Sequence, residues 1–595
     1  MALKRDEIDS IYKWDLTSIY KNEKDLVFDM KLVKSKTKDF LKYKGKVVES
    51  AKTLLNCTND YFNLIRLIEK VAVFINLKNS EDESLADSKN LLGKLQKLLD
   101  EVFEQIAFYN VELLEIDYSK IKEYIKEEAG LEIYSFIFEN EFREKDHTLS
   151  LKEEELLASM GEVLSVPDDT FSMLDNVDMK FSNIKDENGK EVELNSSNYS
   201  IYIRSENRNV RKAAFESLYN AYNSFKNTYA SLLKGNVSVN SFIAKTRKYN
   251  SPLEKSLYSD NINKKLYFNL IEKVHNNLDI MKEYIDIRKN ILSLDEVHLY
   301  DVYAPLVKEN SKTYTFEQAK DIVINALKPL GDTYIKDLKT LFGSNMIDVY
   351  HNENKTSGAY SSGMYDTLPY VLLNYEGKFD DISTLAHEMG HSMHSFYSNK
   401  NRAYHDSSYP IFLAEIASTV NEILLNRYMS DNAKSKEEKA FYLNNLLEHF
   451  RTTLIRQTMF AEFESIIHDK EKDGEILTDE LLCSIYLDLN KKYFPGAYVD
   501  DLIALEWARI PHFYNSFYVY KYATGISVAA SIASDILNKK EGALENYLEF
   551  LKSGGSNYPL EILKKTGIDI VDDDTIDKAL DMFRQTLKEF KELME

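Results

Sequence analysis

The sequence predicts a mostly α-helical protein, and three observations carry that expectation. Only 19 Gly and 9 Pro interrupt 595 residues, and these are the strongest local breakers of regular structure. Apolar residues recur three and four apart in several windows, such as Leu91, Leu92, Leu95, Leu98 and Leu99, and again over 266–287 and 576–594, as the buried stripe of a helix requires. Strand signals are few, and they gather in two places.

The first of these places covers residues 179–194. Residues 179–184 alternate apolar with polar, Asn188-Gly189 supplies a hairpin turn, and residues 191–194 alternate back. The hairpin marks the expected boundary between an N-terminal helical lobe (1–195) and a second domain (196–595) that holds the motifs below. The second place runs from Ile347 through Gly358-Ala359-Tyr360 to residues 369–375. It predicts a small β-sheet immediately before a histidine-rich helix.

Charge and cysteine content narrow the function classes. Lys and Arg total 75 against 97 Asp and Glu, a formal charge of −22. That excess opposes nucleic-acid and anionic-membrane partners, which are polyanions themselves. Cys57 and Cys483 are too few for a disulfide framework and suit a reducing compartment. No apolar signal core follows Met-Ala-Leu-Lys-Arg, and no stretch has membrane-spanning length. The expectation is a soluble, cytoplasmic protein.

The chemistry concentrates at His387-Glu388-Met389-Gly390-His391, an H-E-x-x-H pattern. Four residues make about one helical turn, so both imidazoles project toward one point. That spacing suits two corners of a tetrahedral zinc site. Glu388 is placed to take a proton from metal-activated water and pass it to a leaving amine. The apolar flanks Leu385, Ala386 and Met389 argue against a surface helix with two stray histidines, and Gly390 in mid-helix suggests a close approach. Downstream, Glu415 and Glu422 lie seven apart on a second apolar helix, hence on one face. Spacing alone leaves Glu415 as either a ligand or a surface glutamate. Glu422 is placed to orient a ligating histidine.

Taken together, Gly358-Ala359-Tyr360, Thr384 to His394, and Ala414-Glu415-Ile416-Ala417-Ser418 resemble the oligoendopeptidase F branch of the thimet oligopeptidase family. Lys13-Trp14-Asp15-Leu16 and the His/Tyr-rich run from Pro511 to Gly525 extend the resemblance over nearly the whole chain. It implies a two-lobed helical ellipsoid with a deep substrate channel, one Zn²⁺ per chain and oligopeptide substrates cut internally. It also implies Glu415 as third ligand. His394 is less suitable, because it lies ~10 Å along the helix from His387 and would extend a row where a tetrahedron needs another direction.

The family uses a histidine and tyrosines of the C-terminal run as oxyanion donors. His512 matches directly, with Tyr520 first and Tyr514 and Tyr518 behind it. A continuous helix would put Tyr514, Tyr518 and Tyr522 on one stripe, where most such rings are core. Gly358-Ala359-Tyr360 reads equally as a substrate-pairing edge strand or a covered structural edge. Residues 469–480 approximate a calcium loop, but a charged turn between helices explains them better. Two other functions stay open from the residues: a metallocarboxypeptidase on a similar helical scaffold, and a non-catalytic zinc-containing peptide-binding protein.

Overall fold

The computed structural model describes residues 3–308 and 312–595. Helix accounts for 71% of the chain and strand for 2%, so the mostly helical expectation holds. The chain divides into two compact units, each built from three segments. One contains Met1–Asp146, Lys312–Leu425 and Asp535–Gly567; the other contains His147–Ser311, Asn426–Ser534 and Ile568–Glu595. Packing therefore follows a different division from a single boundary at 195, because the chain leaves each unit and returns to it.

In the first unit the longest helix is α1 (Ala51–Glu81), started by Ser50, whose Oγ accepts from the Thr53 amide at 3.1 Å. Its apolar stripe of Leu54, Leu64, Ile68, Val71 and Ile75 is buried in one core cluster with Trp14, Tyr370 and Leu372. A buried polar cluster ties the N-terminal segment to this core. Arg5 pairs with Asp348 at 2.6 Å and Glu81 at 3.1 Å, Lys355 pairs with Asp348 at 2.7 Å, and the Trp14 indole donates to Glu81 at 2.9 Å. Asp348 is 1% exposed, so its charge is held by opposite charges and not by water.

The hairpin predicted near residue 190 forms from β1 (Ile184–Lys185) and β2 (Glu191–Val192), with Gly189 at φ +77° in its turn. The second strand cluster forms a three-stranded sheet in the order β3 (Ile347–Asp348), β5 (Tyr370–Leu372), β4 (Tyr360–Ser362). β3 runs parallel to β5, and β4 runs antiparallel to it with Ser361 opposite Val371. Gly358 has φ +79°, so the strand begins at Tyr360, two residues later than Gly358-Ala359-Tyr360 suggested.

Helical windows read from leucine spacing fall in helices at Ala86–Ile106 and Thr575–Met594, while 266–287 breaks into Lys264–His275 and Asp279–Ile291. Residues 469–480 join the helices Arg456–Lys472 and Asp479–Tyr493 through a turn with Gly474 at φ +85°. Among the described residues, no helix is long and apolar enough to cross a membrane.

Candidate active site

Two helices of the first unit carry the H-E-x-x-H residues and their partners. The helix α2 (Phe379–Asn401) is started by Asp381, whose carboxylate accepts from the backbone amides of Lys378 at 2.8 Å and Glu376 at 3.1 Å. Ile382, Leu385, Ala386, Met389 and Met393 bury one side of it. The following helix, α3 (Ile411–Asp431), is held against it by Asn421, which is fully buried and donates to the Ala386 carbonyl at 2.9 Å. The crossing is very close. A Cβ on Gly390 would lie 2.5 Å from Ser418 Cα and 2.7 Å from the Ala417 carbonyl oxygen, so the mid-helix glycine marks the approach its position suggested.

That crossing assembles a three-donor group. His387, His391 and Glu415 present ligand atoms within 4.8 Å of one another. The edges of the triangle are 3.1 Å between the two Nε2 atoms, 3.4 Å from His387 to Glu415 Oε2, and 3.6 Å from His391 to the same oxygen. A tetrahedral zinc with bonds of about 2.0–2.1 Å needs donor separations of ~3.3–3.4 Å. The donor set and spacing therefore fit such an ion. Glu422 accepts from His387 Nδ1 at 3.2 Å, which leaves Nε2 facing the other two donors. Ser418 Oγ donates to Glu415 Oε2 at 3.1 Å.

His394 is not part of this group. Its ring is fully buried, stacks on Tyr409 at 3.6 Å with planes 2° apart, and meets Phe550 at 4.9 Å. Burial drives its pKa down to about 3, so it is a neutral aromatic packing element.

Glu388 is 6% exposed, and burial raises its pKa to about 7. The charge of His387 and the Ser361 amide, which donates to the Glu388 carboxylate, oppose that rise; Glu415 and Glu422 add to it. For His387, burial works toward the neutral ring, but Glu422 and then Glu415 and Glu388 overcome it and raise the pKa to about 9. His391, buried beside that cation, falls to about 4. Two imidazoles this close do not both hold an extra proton.

β4 runs alongside α2 in the same direction. Ser361 Oγ meets Ser392 Oγ at 2.9 Å, and a Cβ on Gly363 would strike Ser395 at 2.5 Å. β4 is an outer strand of its sheet, and the Ser361–Glu388 contact puts the Glu388 carboxylate beside it. Gly358 and Ala359 precede it, at a hollow of about 200 Å³ shared with Asp381 and Thr384 of α2.

The C-terminal run lies in the second unit, and the continuous helix assumed for its tyrosine stripe does not form. Pro511–Tyr514 is a 3₁₀ turn, a break follows, and helix begins again at Tyr520. Phe517 sits in the break at φ +59°, an unusual conformation for a bulky residue. Its amide donates to Glu464 at 2.9 Å, while Asn236 donates to the Phe513 carbonyl at 3.0 Å and Asn240 to Ser516 Oγ at 2.7 Å. The turn thus brings His512 and Tyr518 together, with ring centroids 6.3 Å apart and planes 19° apart, and sets the Tyr522 hydroxyl 3.5 Å from His512 Nε2.

Tyr520 is instead fully buried, 5.4 Å from the Tyr267 ring. Tyr514 stacks on Phe171 at 4.3 Å. Tyr522 belonged to the predicted stripe without a role, and only the broken helix groups it with His512. Glu464, on the helix Arg456–Lys472, has no local sequence signal that ties it to this turn.

Glu464 is fully buried and its pKa rises to about 8. Burial is the main cause, and the Phe517 amide opposes it. A raised folded pKa gives stability that is complete below the unfolded value and is lost as pH rises through about 8. Glu464→Gln keeps an amide acceptor for Phe517 without the ionisation. Its melting temperature should therefore fall less than that of the unsubstituted protein between about pH 6 and about pH 9. Parallel melting profiles over that range would refute the assignment.

Comparison with known proteins gives the same direction. Residues 201–582 match the family described as Peptidase family M3, and residues 112–181 match Oligopeptidase F. The chain is 40% identical over 591 residues to Oligopeptidase PepF of Bacillus subtilis, covering 99% of this chain and 88% of that one. It is 39% identical over 597 residues to an Oligoendopeptidase F homolog of Lactococcus lactis subsp. lactis, covering 100% and 99%. The solved structure of oligoendopeptidase-F from Enterococcus faecium superposes with a TM-score of 0.75 at 35% identity, covering 96% of this chain and 99% of that one. With matches of this extent on both sequence and fold, the chain belongs to peptidase family M3, in its oligopeptidase F group.

Proposed function

We propose that this peptidase is a zinc-dependent endopeptidase of short oligopeptides, acting in the cytoplasm. The observation that carries the reading is the donor triangle of His387, His391 and Glu415, with Glu388 beside both that triangle and β4. A zinc ion held by those three residues supplies a Lewis acid that polarises the scissile carbonyl and makes water a competent nucleophile near neutral pH. Glu422 keeps His387 in the tautomer that offers Nε2. Glu388 accepts the water proton at its carboxylate and later delivers it to the leaving amine, a task suited to its raised pKa.

Substrate binding follows from β4. An extended peptide pairs with this strand through backbone hydrogen bonds, which tolerates varied side chains. Tyr360 opens the strand, and Gly358 and Ala359 lead into it. His512 with the hydroxyls of Tyr518 and Tyr522 is the donor set assigned to the developing oxyanion, supported by their mutual packing. Tyr520, buried against Tyr267, is assigned a structural part. The relatives' names, Oligopeptidase PepF and Oligoendopeptidase F homolog, support short peptides as substrates.

Three experiments test this. Glu388→Gln should retain zinc, measured by metal analysis, yet cleave a peptide blocked at both ends more than about 100-fold more slowly. Near-normal cleavage by the loaded variant removes the proposed base, and an uncut blocked peptide with the unsubstituted enzyme removes endopeptidase activity. Glu415→Ala should lose zinc at chelator concentrations where His394→Ala keeps it; the reverse order would make His394 the ligand. His512→Ala, Tyr518→Phe and Tyr522→Phe should lower kcat more than they raise KM, whereas Tyr520→Phe changes kcat little. A kcat loss confined to Tyr520→Phe would return the donor role to that residue.

A further inference from the structure

The hollow at the leading end of β4 has a chemistry of its own. Its floor is apolar, made by Ala359, Leu373 and Tyr375, and its wall carries Asp381 and Thr384 from the first turns of α2. Asn374 closes one end, with its side-chain amide donating to the carbonyls of Thr356 at 3.0 Å and Gly358 at 2.8 Å and its oxygen facing His351 Nδ1 at 3.1 Å. The Asn374 donors are thus spent on backbone. Thr384 Oγ1 donates to the Asp380 carbonyl at 2.9 Å, so toward the hollow it offers lone pairs. Asp381 gives one carboxylate oxygen to the helix start. The lining therefore presents an anion and acceptors above an apolar floor.

Position relative to the reacting centre follows from the parallel course of β4 and α2. Ser361 lies at Glu388, and Ala359 is two residues earlier, ~7 Å along an extended strand. Thr384 is four residues before Glu388, ~6 Å along the helix. Both measures put the hollow about two peptide residues from the bond being cut. Nothing crowds the rim at Gly358, where an added Cβ would meet no heavy atom within 4 Å. The volume of about 200 Å³ accommodates a long, unbranched side chain whose methylenes rest on Leu373 and Tyr375 while its head reaches Asp381.

We propose that this hollow is a specificity subsite for a cationic group of the substrate, either a Lys or Arg side chain about two residues from the scissile bond or the α-ammonium of a short peptide ending there. The proposal rests on the peptidase reading above. Asp381 is the specificity-determining residue. Thr384 and the apolar floor select for reach and shape.

Internally quenched peptides that differ only by Lys, norleucine or Glu at each of the two positions on either side of the scissile bond test it. Norleucine keeps the methylene chain and removes the charge. At one position the unsubstituted enzyme should prefer Lys over norleucine by about tenfold in kcat/KM, and Glu should be worst. Asp381→Asn retains the acceptor at the helix start, and there the Lys-to-norleucine ratio should fall below about twofold. Thr384→Lys, a change at a half-buried surface position, should reverse the order so that Glu exceeds Lys. Ratios within one enzyme cancel any general loss from altered folding.

The two cation sources separate by acetylating the peptide N-terminus: a preference that survives acetylation belongs to the side chain, and one that disappears belongs to the α-ammonium. A Lys advantage absent from the unsubstituted enzyme, or equal in Asp381→Asn, overturns the subsite while leaving the peptidase intact. Failure to cut any peptide of the series overturns both.

Discussion

The contact between Gly390 and Ser418 is the constraint from which the site follows. A side chain at position 390 would overlap the backbone of α3 at 2.5 Å, so the two helices cross at the distance only glycine allows. Glycine in a helix interior costs about 1 kcal/mol relative to alanine; here it sets a distance. Glu415 and Glu422 sit on α3 on either side of Ser418, and the crossing delivers Glu415 to both Nε2 atoms and Glu422 to His387 Nδ1. The buried bond from Asn421 to the Ala386 carbonyl fixes the rotation of one helix about the other. Distance and rotation together leave little freedom for the donor triangle.

The same helix organises the opposite side of the centre through small residues. Gly363 lets β4 lie against Ser395, and Ser361 meets Ser392. With the strand this near, the Ser361 amide reaches Glu388, whose charge would otherwise be unfavourable at 6% exposure. Three carboxylates, Glu388, Glu415 and Glu422, surround two imidazoles. Burial, reinforced by Glu415 and Glu422, keeps the Glu388 pKa near 7, and a dication bound by the triangle would offset two of the three charges. The arrangement favours a divalent ion over a monovalent one on charge alone.

How much of this was legible in the sequence depended on how local each signal was. His387, Glu388 and His391 are read from one helical turn, Gly390 from its misfit with helix propensity, and the Glu415–Glu422 pair from two turns of one face. These features need only a helix and its period. The tyrosine stripe failed because the period was extended across residues 513–519. The break there depends on groups from remote helices, namely Asn236, Asn240 and Glu464, and no window around Phe517 contains them. The interleaved units failed to show for the same reason: a boundary at a hairpin is a local sign, whereas the return of Lys312–Leu425 and Asp535–Gly567 to the first unit is settled by long-range packing.

The side chains proposed for function are thus oriented in two physically different ways. The donors of the candidate metal group stand on regular helices, where precision comes from period and from a close crossing, and a single residue of slippage would rotate every donor by ~100°. His512, Tyr518 and Tyr522 stand around an irregular turn, where no period helps. Orientation there comes from a strained Phe517 held by a buried carboxyl group, and strain of this kind persists only when its surroundings over-determine it. The helical solution tolerates changes of surface sequence as long as glycine stays at the crossing. The turn depends on remote partners, since removing Asn236 or Glu464 takes the hydrogen bond from a backbone group of Phe513 or Phe517. Substitutions around residues 513–519 should accordingly act through geometry well before they act through the chemistry of the rings themselves.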